Sequence, residues 1–337
     1  MTEREQEQLF HLSPAEVKGA LAASGLAPLS RLGQNFLIDG NVARKIVAAL
    51  EPGPDDLVLE IGPGPGFLSV TLAAPAGRFL AVEIDPGMAK MAAQRLSPFP
   101  SAQVLKADAL KADLTELVAT GWQLSAAAAS AASATASPAA AAGVRPPPRL
   151  KVFSNLPYYI TTPLLMKVLE ESRRLPAGFP TPDRGIFMVQ KEVAARILAK
   201  PGGKDYGILT LAVQYYSQAS LVCTVSRNSF WPAPDVDSVV IRLDFRAIPA
   251  APLAPEDLFP VVRGAFGQRR KKIANALAAS PGLSLSRDDA YRALAAAGVD
   301  PDRRGETLSL DEFVRLATEW KRISEQRAIE AGRGGAP

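Results

Sequence analysis

Apolar and polar positions along the chain change their period more than once, and each change marks a region. Residues 13–25, SPAEVKGALAASG, have the spacing of a short helix, with Ser13 as N-cap, Pro14 at the first helical position, Glu16 completing a capping box and Gly25 as the stop. A second helical pattern, NVARKIVAAL, follows the stretch LSRLGQNFLID, in which Arg31, Gln34 and Asn35 accompany the apolar Phe36 and Leu37. From Leu57 onward, short β-rich runs alternate with helical ones, which predicts βαβ units and a parallel sheet. Seven strands are expected: LVLEI from 57, FLAVEI from 79, QVLKA from 103, KVFS from 151, GIFMVQ from 185, SLVCTVS from 220 and SVVIRLDF from 238. NSFWPAPDVD joins the last two without a helix, so they should form an antiparallel pair at one edge. After the fifth strand, KEVAARIL reads as an amphipathic helix.

Beyond Phe245 the pattern is helical throughout: PEDLFPVVRGAF, QRRKKIANALAAS, SRDDAYRALAAAG with Ser286 as cap and Gly298 as stop, and SLDEFVRLATEWKRI with a Ser309/Glu312 capping box. One stretch fits neither regime. Residues 125–148, SAAAASAASATASPAAAAGVRPPP, hold only Val144 as a larger aliphatic residue and end in a proline run, which predicts a mobile surface insertion with no catalytic part.

At 337 residues with 47% hydrophobic content, the chain has room for one large domain and a small one, or for two ordinary domains. Lys and Arg number 38 against 34 Asp and Glu; the resulting +4 is compatible with an anionic partner and too small to identify one. Composition excludes more than it suggests. A single cysteine, Cys223, rules out an internal disulfide framework, and a single histidine, His11, argues against a His/Cys metal site and a Ser-His-Asp mechanism. Chemistry on this chain should therefore rest on a reactive cofactor and on positioning, without a metal. No signal-like start and no membrane-length apolar run are present, so a soluble intracellular protein is expected.

Candidate chemistry sits at successive strand ends. After the first strand, EIGPGPG places Gly62, Gly64 and Gly66 where glycines admit a ligand close to the backbone; the spacing G-x-G-x-G differs from the dinucleotide fingerprint G-x-G-x-x-G. The second strand ends in VEID, where Glu83 can accept both hydroxyls of a ribose, and the third ends in ADAL, with Asp108. Separately these read as a tight turn, a strand-ending acid and a capping aspartate; in this order, at the carboxyl edge of an open α/β sheet, they point to a nucleoside. The fourth strand runs into NLPYYI. Asn155 offers an amide oxygen, Pro157 constrains the turn and leaves a carbonyl free, and Tyr158 presents a π-face, a set that suits an aromatic amine. Thr162 and Pro163 should cap and start the next helix. The run Arg269, Arg270, Lys271, Lys272, at the start of a helical pattern with Arg263 one element earlier, reads either as a solvated face or as phosphate contacts. FWPAPDVDS, with Phe230 and Trp231, reads either as a packed connection or as a stacking surface.

These motifs, GQNFL at 33, EIGPGPG at 60, VEID at 82, ADAL at 107, NLPYYI at 155, MVQKEVAARI at 188, YGILTLAVQYY at 206, FWPAPDVDSVVIRL at 230 and FGQRRKKIANAL at 266, resemble those of the KsgA-type ribosomal RNA adenine N6-dimethyltransferases. The resemblance runs from about residue 29 to about residue 320, leaving out the alanine-rich insertion. It implies a Rossmann-like class I methyltransferase domain over 29–246, an N-terminal extension over 1–28 and a helical RNA-binding domain over 247–337. It also implies a cytoplasmic, monomeric enzyme that uses S-adenosyl-L-methionine to dimethylate two adjacent adenosines in the 3'-terminal hairpin of 16S rRNA during small-subunit maturation. By position, methyl-donor contacts fall on Asn35, Leu37, Gly62, Gly64, Glu83, Asp108 and Asn155. The target base falls on Asn155, Pro157 and Tyr158, with Phe230 as a second face, and RNA phosphates fall on Arg263, Arg269, Arg270, Lys271 and Lys272. Tyr159 stands where the family usually has Asn, and the run before GQNFL is less basic than is common. A turn of the NLPY kind would equally serve a DNA adenine N6-methyltransferase, and the same fold carries non-catalytic assembly and transcription factors.

Overall fold

The computed structural model describes residues 13–28, 34–122, 148–155, 158–245, 253–283 and 286–333. The expected insertion at 125–148 therefore lies, apart from Pro148, outside the described residues, as do Arg31, Leu156 and Pro157. The chain packs as two compact units, Met1–Ala194 with Gln218–Ala247 and Ala195–Ser217 with Ile248–Pro337.

The first unit opens with helix α1 (Pro14–Ala23), whose Ser13/Glu16 capping box forms as expected. There follow β1 (Phe36–Leu37), α2 (Gly40–Leu50), β2 (Leu57–Ile61), α3 (Phe67–Ala73), β3 (Arg78–Glu83), α4 (Pro86–Leu96), β4 (Ala102–Lys106), β5 (Arg149–Asn155), α5 (Tyr158–Glu171), β6 (Thr181–Gln190), α6 (Lys191–Ile197), β7 (Ser217–Val225), β8 (Phe230–Trp231) and β9 (Ser238–Phe245). The seven expected strands form one sheet in the order β4-β3-β2-β5-β6-β9-β7. Strands β4 through β6 are parallel, and β9 runs antiparallel to β6, so the reversal lies at the β7 edge. On one face Val58, Phe79, Phe153, Ile186 and Val240 pack under Val42, Ile46 and Leu50 of α2. On the other, a Cβ at Gly121, in the helical residues 114–122, would lie 2.9 Å from Leu57 Cδ1 and 3.2 Å from Leu80 Cβ, so helices cover both faces. Burial on both sides is why these strands read as continuous apolar runs.

Helix α5 begins at Tyr158 and encloses Pro163. Thr162 is therefore not its cap. A proline there removes one i to i−4 bond, yet Leu164, Leu165, Val168 and Leu169 are almost fully buried on the same helix, and that packing outweighs the lost bond.

At the N-terminal ends of β2, β5 and β6, buried charges are matched. Lys151 Nζ lies 2.9 Å from Asp56 and 3.9 Å from Asp183, and it donates to the carbonyl of Glu51. Arg184 pairs with Glu51 at 3.0 Å and Asp244 at 3.2 Å, and donates to the carbonyl of Ala49. Arg242 adds contacts to Asp244 and Glu51 on the outside.

The second unit comprises α7 (Ile208–Tyr216), α8 (Pro255–Gly267), α9 (Ile273–Ala278), α10 (Arg287–Ala296) and α11 (Leu310–Arg333). Its membership follows packing and not chain order, which is why it takes in Ala195–Ser217 from ahead of the boundary expected at 246/247. Tyr206 donates to the carbonyl of Leu308 and Tyr215 to that of Leu253, both at 2.8 Å, and Phe259 packs against Tyr215 and Tyr216. The caps at Ser286 and Ser309 form as read. Among the described residues, no helix is long and apolar enough to cross a membrane, and no cluster of His, Cys, Asp and Glu could hold a metal ion.

Candidate active site

The order of the sheet reverses at β2, which pairs with β3 on one side and β5 on the other. Open α/β sheets hold ligands beyond the strand ends at such a point. Here the chain leaves β2 through Gly62, Gly64 and Gly66 at φ +76°, +56° and +80°. Two of these have steric reasons besides the backbone. A Cβ on Gly64 would meet Phe36 Cε1 at 3.0 Å, and one on Gly66 would meet Ala92 Cα of α4 at 2.9 Å.

A pocket opens above this turn, lined by Asn35, Leu37, Glu60, Gly62, Gly64, Phe67, Glu83, Asp108, Asn155 and Phe230 among others. The strand-end acids, the glycine turn, the GQNFL segment and the first residue of NLPY, expected separately from sequence, thus share one concavity. Glu83 is anchored within it. One carboxylate oxygen accepts from Gly64 N at 3.0 Å and the other from Asp85 N at 2.9 Å, which ties the end of β3 to the glycine turn and leaves each oxygen a further lone pair. Burial raises its pKa, and the backbone N–H groups oppose the rise. Asp108 accepts from Leu110 N at 3.0 Å and lies 3.6 Å from Lys111.

The N-terminal wall of the pocket is a two-stranded ribbon. Strand β1 pairs antiparallel with β8, Phe36 opposite Trp231 and Leu37 opposite Phe230. Ile38 N donates to the carbonyl of Ser229 at 2.9 Å, and Ser229 Oγ donates to Asp39, which also caps α2. Phe230 is 5% exposed and lines the pocket, so the start of FWPAPDVDS is packed into its wall, while Ala233, Asp235, Val236 and Asp237 are exposed. Behind the ribbon, Val17 and Leu21 of α1 pack with Phe36, Phe67, Met88 and Met91. Pro157 lies outside the described residues, as do the side chains of Tyr158 and Tyr159.

Glu60, an ionisable side chain in the pocket, was missed by the sequence reading. Glu60 sits within β2, every residue of which is buried, and its Oε2 has no hydrogen-bond partner among the described residues. Burial pushes its pKa up to about 8; the charge of Glu83 adds to the rise, and Ser69, close by without a well-formed hydrogen bond, opposes it. The signal was available: a carboxylate inside LVLEI, otherwise a wholly apolar strand of a two-sided sheet, needs a partner or a purpose.

The basic run lies elsewhere, in the second unit, and not on a helix. Helix α8 ends at Gly267 and α9 starts at Ile273, so Arg269–Lys272 form the connection between them. Glycine at the end of one helix and the extended backbone of Lys272, φ −57° and ψ 145°, break the continuous pattern expected from sequence. Arg269 is held 2.5 Å from Glu306 and Lys272 2.8 Å from Asp302, while Arg263, Arg270 and Lys271 are exposed.

Fold and pocket together place the chain among the Rossmann-like methyltransferases that use S-adenosylmethionine. Comparison with known proteins makes this specific. Residues 29–321 match the profile of the family described as ribosomal RNA adenine dimethylase. Ribosomal RNA small subunit methyltransferase A of Moorella thermoacetica is 42% identical over 306 residues, covering 90% of this chain and 96% of that one. A crystal structure of 23S rRNA methyltransferase ErmE aligns with TM-score 0.57 and 26% identity over 85% of this chain and all of that one. A dimethyladenosine transferase from Plasmodium falciparum aligns with TM-score 0.63 and 23% identity, covering 86% of this chain and 98% of that one. The chain belongs to the ribosomal RNA adenine dimethylase family.

Proposed function

We propose that this protein is a cytoplasmic, monomeric enzyme that transfers methyl groups from S-adenosyl-L-methionine to N6 of two adjacent adenosines in the 3'-terminal hairpin of 16S rRNA, within the small ribosomal subunit. The observation that carries this reading is the position of Asn155, at the end of β5 and on the wall of the same pocket as Glu83, Asp108 and the glycine turn. The pocket fits the donor on its own chemistry. Glu83 keeps lone pairs for the ribose hydroxyls, Asp108 offers a carboxylate to the adenine amine, Asn35 and Leu37 with the ribbon close one side, and the unpaired Oε2 of Glu60 suits an ammonium.

S-adenosylmethionine supplies an electrophilic methyl group on a cationic sulfonium. The protein's task is alignment. An adenine amine is a weak nucleophile because its lone pair is delocalised into the ring; Asn155 Oδ1, with the carbonyl at Pro157, would accept from the two N–H groups, localise the lone pair and aim it, while Tyr158 and Phe230 fix the plane. The N–C bond forms as the S–C bond breaks, and the proton left on N6 passes to water, so no imidazole base is needed. A second pass gives the dimethyl product. All five members of the basic set are exposed; Arg263, Arg270 and Lys271 are in no ion pair among the described residues and so are the readiest to contact phosphate, with Arg269 and Lys272 already ion-paired.

Asn155→Ala should lower methyl transfer to unmethylated small subunits by about a thousandfold or more, the scale of losing a transition-state hydrogen-bonding group, while donor affinity changes far less. Labelled-methyl incorporation into those subunits and into duplex DNA measures it. Near-normal incorporation by the variant, or preference of the unaltered protein for DNA, would overturn the proposal.

A further inference from the structure

The chain's net charge of +4 is small, but it is not evenly spread. Three short segments of the second unit, residues 200–205, 269–272 and 302–306, contain eight Lys and Arg against three Asp and Glu, an excess larger than that of the whole chain. The fold gathers these segments. Arg269 lies at their junction, its Nε 2.5 Å from Glu306 and its terminal nitrogen donating to the carbonyls of Lys204 and, at 3.5 Å, Gly203. Gly202 N donates to the carbonyl of Glu306 at 2.8 Å, closing the same junction from the other side. Lys272 pairs with Asp302, and Ile273 N donates to the carbonyl of Arg303 at 2.7 Å. Arg303 itself is turned inward to Glu312 and the carbonyl of Thr307.

Glu306 and Asp302 are thereby used on Arg269 and Lys272, while the half-buried Asp205 is in no ion pair among the described residues. Lys200, Lys204, Arg270, Lys271 and Arg304 are exposed, and among the described residues none of the five is in an ion pair. None of the three segments contains an aromatic residue. Five cations outside any ion pair, against one unpaired acid, Asp205, on a pinned surface suit a polyanion held through its phosphates. We infer that the turn carrying Lys200 and Lys204 joins Arg270, Lys271 and Arg304 in one face that binds RNA phosphates, and that Arg269 is the clasp that assembles this face. This extends the rRNA reading to a segment, residues 200–204, that the basic run did not include, and it assigns Arg269 a positioning role.

The test is binding of full-length protein to small ribosomal subunits lacking dimethyladenosine, measured over a range of KCl concentrations, with donor affinity as the control for folding. Lys200→Ala/Lys204→Ala should weaken binding about tenfold near physiological salt and flatten the dependence of log K on log salt by roughly 0.7–0.9 per lysine, with donor affinity unchanged. Glu306→Gln separates clasp from charge: it makes the surface more positive, so it should tighten binding if charge alone matters and weaken it if Arg269 must be held. Wild-type affinity and salt slope in the double lysine variant, or tighter binding by Glu306→Gln, would overturn the inference and leave the rRNA reading intact. If the unaltered protein binds donor but not subunits, the rRNA reading itself fails.

Discussion

At the N-terminal ends of the central strands, Asp56, Lys151 and Arg184 are buried and matched, each to an opposite charge within 3.2 Å, Arg184 through the part-exposed Asp244. At the C-terminal ends of the same sheet, Glu60 and Glu83 are as deeply buried, and no cation is paired with either among the described residues. Both ends bury ionisable groups, and only one matches them with ion pairs. The difference separates ion pairs that specify the fold from acids left without a cation in the pocket. It also reverses the response to pH. At the matched end, the hydrogen bond from Arg184 holds the carboxyl of Glu51 below the usual range, so its contribution is present above the unfolded pKa and lost as pH falls through the folded one. At the pocket end, Glu60 keeps its proton up to about pH 8. Its neutral form is fully accommodated below the unfolded value near 4, and stability declines as pH rises from there through the folded pKa.

The contrast can be broken most severely at Lys151. Lys151→Met leaves Asp56 buried beside an apolar chain and should cost about 3–5 kcal/mol of stability, read from urea unfolding, while the folded fraction binds donor as before. A loss under 1 kcal/mol would mean that this end is no more specified than the surface. Glu60→Gln should act oppositely. It should weaken donor binding about tenfold at pH 8, near 1.4 kcal/mol, yet make the protein relatively more stable than the parent as pH rises from 5 to 8. Unaltered protein should release a proton on binding donor below pH 8, seen as a buffer-dependent calorimetric heat, and the variant should not. Equal proton release in both would remove Glu60 from the site. The smallest effect is expected at Arg242, whose contacts to Asp244 and Glu51 lie at the exposed side of the network. Arg242→Ala should stay within about 1 kcal/mol of the parent and lose even that difference in high salt.

Period and order made the sheet legible: the seven strands fall where the apolar runs place them, and the central ones, buried on both faces, have little freedom of composition. The acids and glycines at three strand ends were legible for the same reason, since a parallel sheet delivers every strand end to one edge. What sequence could not show was pairing at a distance. Nothing local to Phe36 or Phe230 announces that they flank one ribbon, so FWPAPDVDS stayed divided between two readings, and the structure shows Phe230 packed at the pocket wall. The basic run was misplaced onto a helix because a Lys/Arg series carries no period of its own, and the break came from Gly267 and from acids more than thirty residues downstream. Thr162 misled as a cap because a Thr-Pro pair marks a helix start only where packing does not begin the helix earlier.

The ribbon has a consequence for how the protein is made. Asp39 and Ser229, which brace its two strands, are separated by 190 residues. Chain emerging from the ribosome presents the glycine turn, Glu60 and Glu83 long before the partner of Leu37 exists, and closing so long a loop comes late because its entropy must be overcome before its contacts form. A chain cut short before Phe230 would hold the turn without its wall. The pocket is thereby complete only once nearly the whole first unit has been made.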